Sequence, residues 1–110
     1  MKTLSIIEEQ VLQLIPRGSE VKRTAYEIGS IIGLDKREVQ AVVSNLIRKG
    51  APVVAKRNGA YSDRGYYVPM TESERIEGLR SLKKQHQETE ERIRIVESVN
   101  LSNWYAEMNK

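Results

Sequence analysis

The 110-residue chain has room for one compact domain and an appendage, and its apolar fraction of 39% and charged fraction of 30% are ordinary for a globular protein. It has no cysteine, which excludes disulfides and thiolate chemistry, and no apolar run long enough to span a bilayer. The net charge is +3 and the N-terminal segment lacks the pattern of a signal peptide, so we expect a cytoplasmic protein that has no contact with membranes.

The positive charge is concentrated in one part of the chain. Residues 1–70 carry 11 basic and 7 acidic residues, whereas residues 71–110 carry 7 basic and 8 acidic residues. Residues 36–64 alone contain seven basic residues and two acidic ones. A local excess of this kind indicates an anionic partner that meets one face of the protein.

Four short segments have the pattern of a helix N-terminus. Each begins with a hydroxyl or Asp side chain and has Glu three residues later, as in a capping box, and each precedes an amphipathic run. We therefore predict four helix starts. The four pairs are Ser5–Glu8, Thr24–Glu27, Asp35–Glu38 and Thr71–Glu74.

Three helices are predicted in the first 50 residues, over about 5–15, 25–32 and 36–49. Pro16 ends the first helix, and Gly33 ends the second by adopting a left-handed conformation. The apolar residues at helical spacing are expected to face the core. They are Ile7, Val11, Leu14, Ile15, Ile28, Ile31, Ile32, Val39, Val42, Val43, Leu46 and Ile47.

The spacing then changes to that of a β-hairpin. Residues 53–57 combine two valines with a basic tail, and residues 66–68 are β-prone, so each segment predicts a strand. Asn58-Gly59 and residues 63–65 have turn chemistry between the two strands. The sequence therefore predicts a hairpin with a polar, basic tip.

Residues 72–98 predict one helix of roughly 40 Å, longer than a small domain needs for its own core. Heptad spacing along it, with a polar centre, predicts a coiled-coil seam between two copies of the chain. We thus expect a compact domain over 1–70 and a self-association segment over 71–110. The dimerisation residues predicted from the seam are Leu79, Leu82, His86, Ile93 and Val96, and Thr89 and Asn100 continue its spacing.

Together these elements predict a mainly α fold with a small β-hairpin, arranged as a winged helix-turn-helix followed by a long C-terminal helix. In that arrangement the third helix enters the DNA major groove and the hairpin, or wing, lies beside it. The outward face of the third helix predicts base contacts by Arg37, Gln40, Ala41 and Ser44. Backbone contacts are predicted for Lys36, Arg48, Lys49, Lys56, Arg57 and Arg64.

Residues 24–67 resemble the N-terminal winged-helix domain of bacterial biotin repressors. The residues that carry the resemblance are Gly33-Leu34-Asp35, Val39, Val43, Leu46, Gly50, Val53-Val54 and Gly65-Tyr66. The chain is also similar to small winged-helix proteins of Gram-positive phages and mobile elements. That similarity lies in Leu14-Ile15-Pro16-Arg17-Gly18, Gly50-Ala51-Pro52-Val53, Gly65-Tyr66-Tyr67-Val68-Pro69, Thr71-Glu72-Ser73-Glu74 and Leu79-Arg80-Ser81-Leu82.

The resemblance implies a winged-helix fold and double-stranded DNA binding, as in a transcriptional regulator or a DNA-organising factor of a phage or mobile element. No pattern of a biotin-ligase domain is present, so neither an effector nor an enzymatic activity carries over. The loop over 56–65 is also longer than in the repressors, which is a departure in the wing. A protein–protein adaptor, for example for a replication protein, is the alternative that the fold leaves open.

We do not expect an enzyme, a metal site or a cofactor. His86 is the only histidine, and it has no neighbours at metal-ligand spacing. With no cysteine and no clustered Asp or Ser, it cannot form a nucleophile–base pair. The seven glycines stand scattered at predicted turns rather than in a phosphate-binding loop.

Overall fold

The computed structural model of the chain describes residues 2–109 and confirms a mainly helical fold with one antiparallel hairpin and a long C-terminal helix. A single 3₁₀ turn over Tyr61–Asp63 lies between the two strands. The other elements, in chain order, are α1 (Ile6–Leu14), α2 (Ala25–Ile32), α3 (Lys36–Arg48), β1 (Val54–Lys56), β2 (Gly65–Tyr67), α4 (Glu72–Ser98) and α5 (Leu101–Met108).

The first three predicted capping boxes are confirmed, and the fourth is wrong in one half. At α1, α2 and α3 the cap side chain and the Glu three residues later bond to each other's backbone N–H. At α4, Thr71 accepts from the Glu74 N–H at 3.1 Å, but the Glu74 carboxylate does not return to Thr71. It accepts instead from the backbone N–H groups of Met70, at 2.8 Å, and Ser19, at 2.5 Å. The bond to Ser19 holds α4 against the α1–α2 connection, which a capping box within α4 would not do.

The core lies where α1, α2 and α3 meet the base of the hairpin. Its aliphatic side chains fill the space without any phenylalanine, as the composition requires. The predicted inward face of α3 is confirmed at its centre, where Val39, Val43 and Leu46 are buried. The buried cluster consists of Val11, Ile15, Ala25, Ile28, Val39, Val43, Leu46, Ala51, Val53 and Val68.

Two residues predicted to be buried are exposed instead. Ile31 is 58% exposed because α2 packs through Ala25, Ile28 and Gly29, and position 31 lies off that face. Ile47 is 50% exposed because it lies at the edge of the buried face of α3 rather than on it. Both predictions assumed a wider buried stripe than such short helices need.

The hairpin is confirmed, with β1 and β2 paired in the register Val54 to Tyr67 and Lys56 to Gly65. The α1–α2 connection covers the outer edge of β2. There the Gly18 N–H donates to the Val68 carbonyl at 2.8 Å, and Arg23 and Tyr66 exchange backbone bonds. Val68, predicted to continue the strand, therefore pairs with this connection instead. Covering the edge fixes the root of the wing to the helical core.

Helix α4 has the predicted bounds, and only its first part packs on the domain. Gly78 allows this packing, because a Cβ there would lie 2.5 Å from Val54 Cγ2 and 2.8 Å from the Tyr67 hydroxyl. Beyond residue 80 every residue of α4 is exposed. Helix α5 was not predicted from the sequence; Asn100 caps it by accepting from the Asn103 N–H. Among the helices described here, none is long and apolar enough to cross a membrane.

Candidate nucleic-acid interface

The outward face of α3 is an exposed surface of small and hydrogen-bonding side chains. Val39, Val43 and Leu46 point into the core, which turns the opposite side of the helix to solvent. All four residues predicted to contact bases are exposed on this helix. They are Arg37, Gln40, Ala41 and Ser44.

A groove of about 370 Å³ separates α3 from the hairpin and continues this surface. Lys36 and Gln40 form its α3 wall, and Arg57 and Arg64 form its hairpin wall. Tyr26, at the start of α2, and Tyr61, in the hairpin loop, also line it. The sequence analysis missed both tyrosines, because they lie outside the third helix and only the folded chain brings them beside it. A basic groove with exposed hydroxyls suits a sugar-phosphate backbone.

Four cations on this side of the domain carry uncompensated charge. Within the part of the chain that the structure describes, Lys36, Arg37, Arg48 and Arg57 form no ion pair. All four are exposed. A cluster of unpaired cations beside a helix face attracts anions over a distance of about 8–10 Å at moderate salt.

The remaining predicted backbone contacts are less free. Arg64 donates through Nε to the Gly59 carbonyl at 2.9 Å, so it braces the hairpin turn as well as adding charge. Lys56 is ion-paired with Asp63, and the hydrogen bond that its ammonium group donates to the Asp63 carboxylate raises the pKa of Lys56. Part of the expected charge of the wing is therefore neutralised within the wing itself.

Lys49, another predicted backbone contact, is engaged with the N-terminal part of the chain. Its Nζ lies 2.6 Å from Oε1 of Glu8, a buried carboxylate on α1, and also bonds the Thr3 carbonyl. The hydrogen bond from Lys49 is the main reason that the pKa of Glu8 is lowered. A buried carboxylate needs such a partner, so Lys49 joins α3 to α1, and its contact with phosphate stays a prediction.

Asp63 bridges two lysines and holds the hairpin loop to the body of the protein. Lys22 Nζ lies 2.7 Å from Oδ1, and Lys56 bonds the other carboxylate oxygen. The hydrogen bonds from Lys22 and then Lys56 lower the pKa of Asp63 to about 2. The same ion pairs place a negative charge inside an otherwise basic wing.

This bridge should make stability depend on acid in a defined range. The pKa of Asp63 is about 2 when folded and near its ordinary 3.8 when unfolded, so its contribution is complete above pH 4 and is lost as pH falls from about 4 to 2. Replacing Asp63 with Asn should remove that dependence. The slope of the unfolding free energy against pH should then differ from that of the wild type by the equivalent of up to one bound proton. Denaturant unfolding from pH 2 to 6 measures it, with Glu88→Gln on exposed α4 as control. Parallel pH profiles for the wild type and Asp63→Asn would contradict the bridge.

A second groove, of about 390 Å³, lies between α3, β1 and the first part of α4. Its walls are largely apolar, and Ile47 and Leu82 line it although each is at least half exposed. Gln40 and Arg57 line both grooves, so the two meet along one edge of α3.

The residues predicted for dimerisation divide into two groups. Leu79 is half-buried and lines the groove beside α3, so the protein's own domain already covers part of this side chain. Leu82, Ile93 and Val96 are more than half exposed. His86 is exposed and lies 3.1 Å from Glu90 on the same helix. The predicted seam is therefore present as a surface, but it is not uniform along its length.

Compared with models of known protein families, with curated proteins and with solved structures, the sequence gives no significant match. The resemblance to biotin repressors and to phage winged-helix proteins therefore stays a prediction. Within residues 2–109 there is no group of three or more His, Asp or Glu side chains placed to hold a metal ion.

Proposed function

We propose that this protein is a sequence-specific binder of double-stranded DNA that acts as a homodimer, in transcriptional control or DNA organisation of a phage or mobile element. The observation that carries the proposal is the exposed α3 face with unpaired cations along it and a basic groove beside it. A helix of this width fits the major groove, where Arg37 can bond guanine and Gln40 can bond adenine. The groove residues Lys36, Arg57 and Tyr26 then meet the backbone.

Selection of bound sequences from random duplex DNA tests this proposal directly. A motif of two symmetric half-sites is the expected result, because a two-fold dimer reads its site twice. If no sequence is enriched over the starting pool, specific DNA binding is contradicted.

Variants of α3 should then identify the reading residues. Arg37→Ala and Gln40→Ala should each weaken binding to the selected site by ~1–3 kcal/mol and relax preference at single positions. Asn45→Ala is the matched control, since Asn45 is exposed on the same helix outside the predicted contacts. Titration against site variants measures both quantities. Equal binding by all three variants would place the interface elsewhere.

The wing should contribute charge without reading sequence. Arg57→Ala should weaken binding to specific and non-specific DNA alike. It should also reduce the slope of the logarithm of the binding constant against the logarithm of the salt concentration by about one. Arg57 is the better test than Arg64, because Arg64 also braces the turn at Gly59. Lys2→Ala is a control on the Lys49 side of the domain, where the Lys2 N–H bonds the Lys49 carbonyl. A salt slope that is unchanged in Arg57→Ala would exclude a phosphate contact by the wing.

A protein–protein adaptor is the second candidate, and the apolar groove between α3 and α4 favours it. An exposed apolar surface beside the reading helix is typical of a protein contact rather than a DNA contact. Ile47→Gln separates the two functions, since it changes this groove and leaves the basic groove intact. DNA binding by Ile47→Gln at wild-type strength supports the DNA function, whereas a wild-type protein that selects no DNA sequence favours the adaptor.

A further inference from the structure

The apolar surface of the C-terminal region is concentrated far from the domain. Residues 83–92 contain no large apolar side chain, and all of them are exposed. Residues 93–108 follow with eight large apolar side chains that are 40–73% exposed. We name this second stretch the distal segment. Its exposed apolar residues are Ile93, Ile95, Val96, Val99, Leu101, Trp104, Tyr105 and Met108.

Helix α5 gives the distal segment a continuous apolar face. Leu101, Trp104, Tyr105 and Met108 have the spacing i, i+3, i+4, i+7 that places them on one side of a helix. Trp104 and Tyr105 pack edge-to-face, with ring centroids 5.1 Å apart. An eight-residue helix is marginal in water unless such a face is covered, and α5 has no extensive packing against another element among residues 2–109.

We infer that the distal segment is covered by the distal segment of a second copy of the chain, with the two α4 helices parallel. This inference rests on the proposed function for its two-fold DNA geometry, and it replaces the even seam predicted from Leu79 onward. The apolar contacts of self-association begin at Ile93, and the polar stretch over 83–91 remains solvated.

The charged residues that flank the apolar positions favour pairing with a second copy of the chain, with the two α4 helices parallel. With Ile93 and Val96 as successive core positions, Arg92 and Glu97 take the two flanking positions that meet between parallel helices. Neither residue has an ion-pair partner in the part of the chain that the structure describes. Each copy supplies both charges, so a parallel pair forms two opposite-charge contacts. Antiparallel pairing would instead bring like charges together.

The available area and the local charge agree with this partner. Aromatic side chains bury about 150–250 Å² each and aliphatic ones about 60–120 Å². Two aromatic and six aliphatic side chains that are about half exposed therefore offer roughly 300–600 Å² per chain, which is enough for an interface at the small end of the specific range. A membrane surface would require a basic polar face. The distal segment has only Arg94 against Glu97 and Glu107.

Sedimentation of the full chain and its variants tests the inference. The wild type should sediment at about twice its 12.6 kDa mass. The double variant Ile93→Gln with Val96→Gln should be monomeric, with a dissociation constant raised at least 100-fold. Leu82→Gln, on the same seam but outside the distal segment, should stay within about twofold of wild type. Loss of the dimer in Leu82→Gln but not in the double variant would overturn the inference. Circular dichroism confirms that each variant remains helical.

A charge exchange tests direction without removing apolar surface. Arg92→Glu and Glu97→Arg should each weaken association about tenfold, and the two together should restore it, because parallel pairing then regains opposite charges. Lys84→Ala, at an outer heptad position, is the control. Failure of the combined variant to recover would overturn the parallel arrangement.

DNA binding provides a separate readout. A dimer that selects no DNA sequence would contradict the proposed function and leave this inference standing. A protein that selects a single half-site and sediments as a monomer at high concentration would overturn this inference, together with the homodimer of the proposed function, and would leave sequence-specific DNA binding standing.

Discussion

Replacing Gly29 with alanine should lower the free energy of unfolding by about 3 kcal/mol or more, although alanine is the better helix former. Gly29 lies inside α2 and is buried where the chain turns towards α3. A Cβ there would lie 3.1 Å from the Leu34 carbonyl carbon and closer still to its oxygen. The same turn is held by bonds from the Gly33 and Leu34 N–H groups to the Gly29 carbonyl. The backbone therefore cannot move aside without breaking the turn.

The neighbouring Ser30→Ala variant isolates this effect. Ser30 is exposed on the same helix, and its hydroxyl bonds only to the Glu27 carbonyl in the preceding turn. Its replacement should change stability by less than about 0.5 kcal/mol. Urea unfolding followed by circular dichroism compares the two variants. A Gly29→Ala protein as stable as Ser30→Ala would show that the α2–α3 turn can relax, and the close approach at Leu34 would lose its structural importance.

Replacing Gly78 with alanine should separate α4 from the hairpin, at a net cost of about 1–2 kcal/mol. Helix propensity gains up to about 1 kcal/mol, but overpacking against Val54 and Tyr67 costs typically 1–3 kcal/mol. Val54 is short, β-branched and buried on a strand, so it cannot swing away. The contacts of Glu74 with Ser19 and Tyr67 should weaken with it.

Ser81→Ala is the matched control for Gly78→Ala. It gains helix propensity on the same face of α4 but is exposed, so it should be neutral or slightly stabilising. Thermal unfolding gives the net stability, and hydrogen exchange at the Ser19 amide reports the bond to Glu74. If Gly78→Ala stabilises the protein as Ser81→Ala does, the packing of α4 on the hairpin does not depend on the close approach of Gly78 to Val54 and Tyr67.

Local signals account for what the sequence could predict. Three capping boxes, the left-handed Gly33 and the valines of α3 each depend on residues within a few positions, so helices α1–α3 were placed within about one residue. The bounds of α4 followed from Thr71 and an uninterrupted helical pattern. The hairpin followed from turn residues between β-prone segments. Exposure of Arg37 and Gln40 followed from the same periodicity.

What could not be predicted depends on contacts between distant segments. Lys49 was predicted to contact phosphate from its residue type and its position at the end of the third helix. Only the packing of α1 on α3 brings it to Glu8. Asp63 could not be assigned to Lys22, 41 residues earlier in the chain. Glu74 was read as a local cap because its partner Ser19 is 55 residues away. Helix α5 was not predicted because its eight residues are too few for a periodic pattern to distinguish a helix from a frayed chain end.

The bare polar stretch over 83–92 has a geometric consequence. Ten exposed residues of one helix form a rigid spacer of roughly 15 Å between the reading domain and the distal segment. In a parallel dimer this spacer sets both the separation and the angular phase of the two α3 helices. Each residue added turns one end by about 100° relative to the other, so inserting seven residues nearly preserves phase while inserting two reverses it. Under the proposed function, the spacing of the DNA half-sites would thus be set by the length of a segment in which residues 83–91 contact neither DNA nor the second copy.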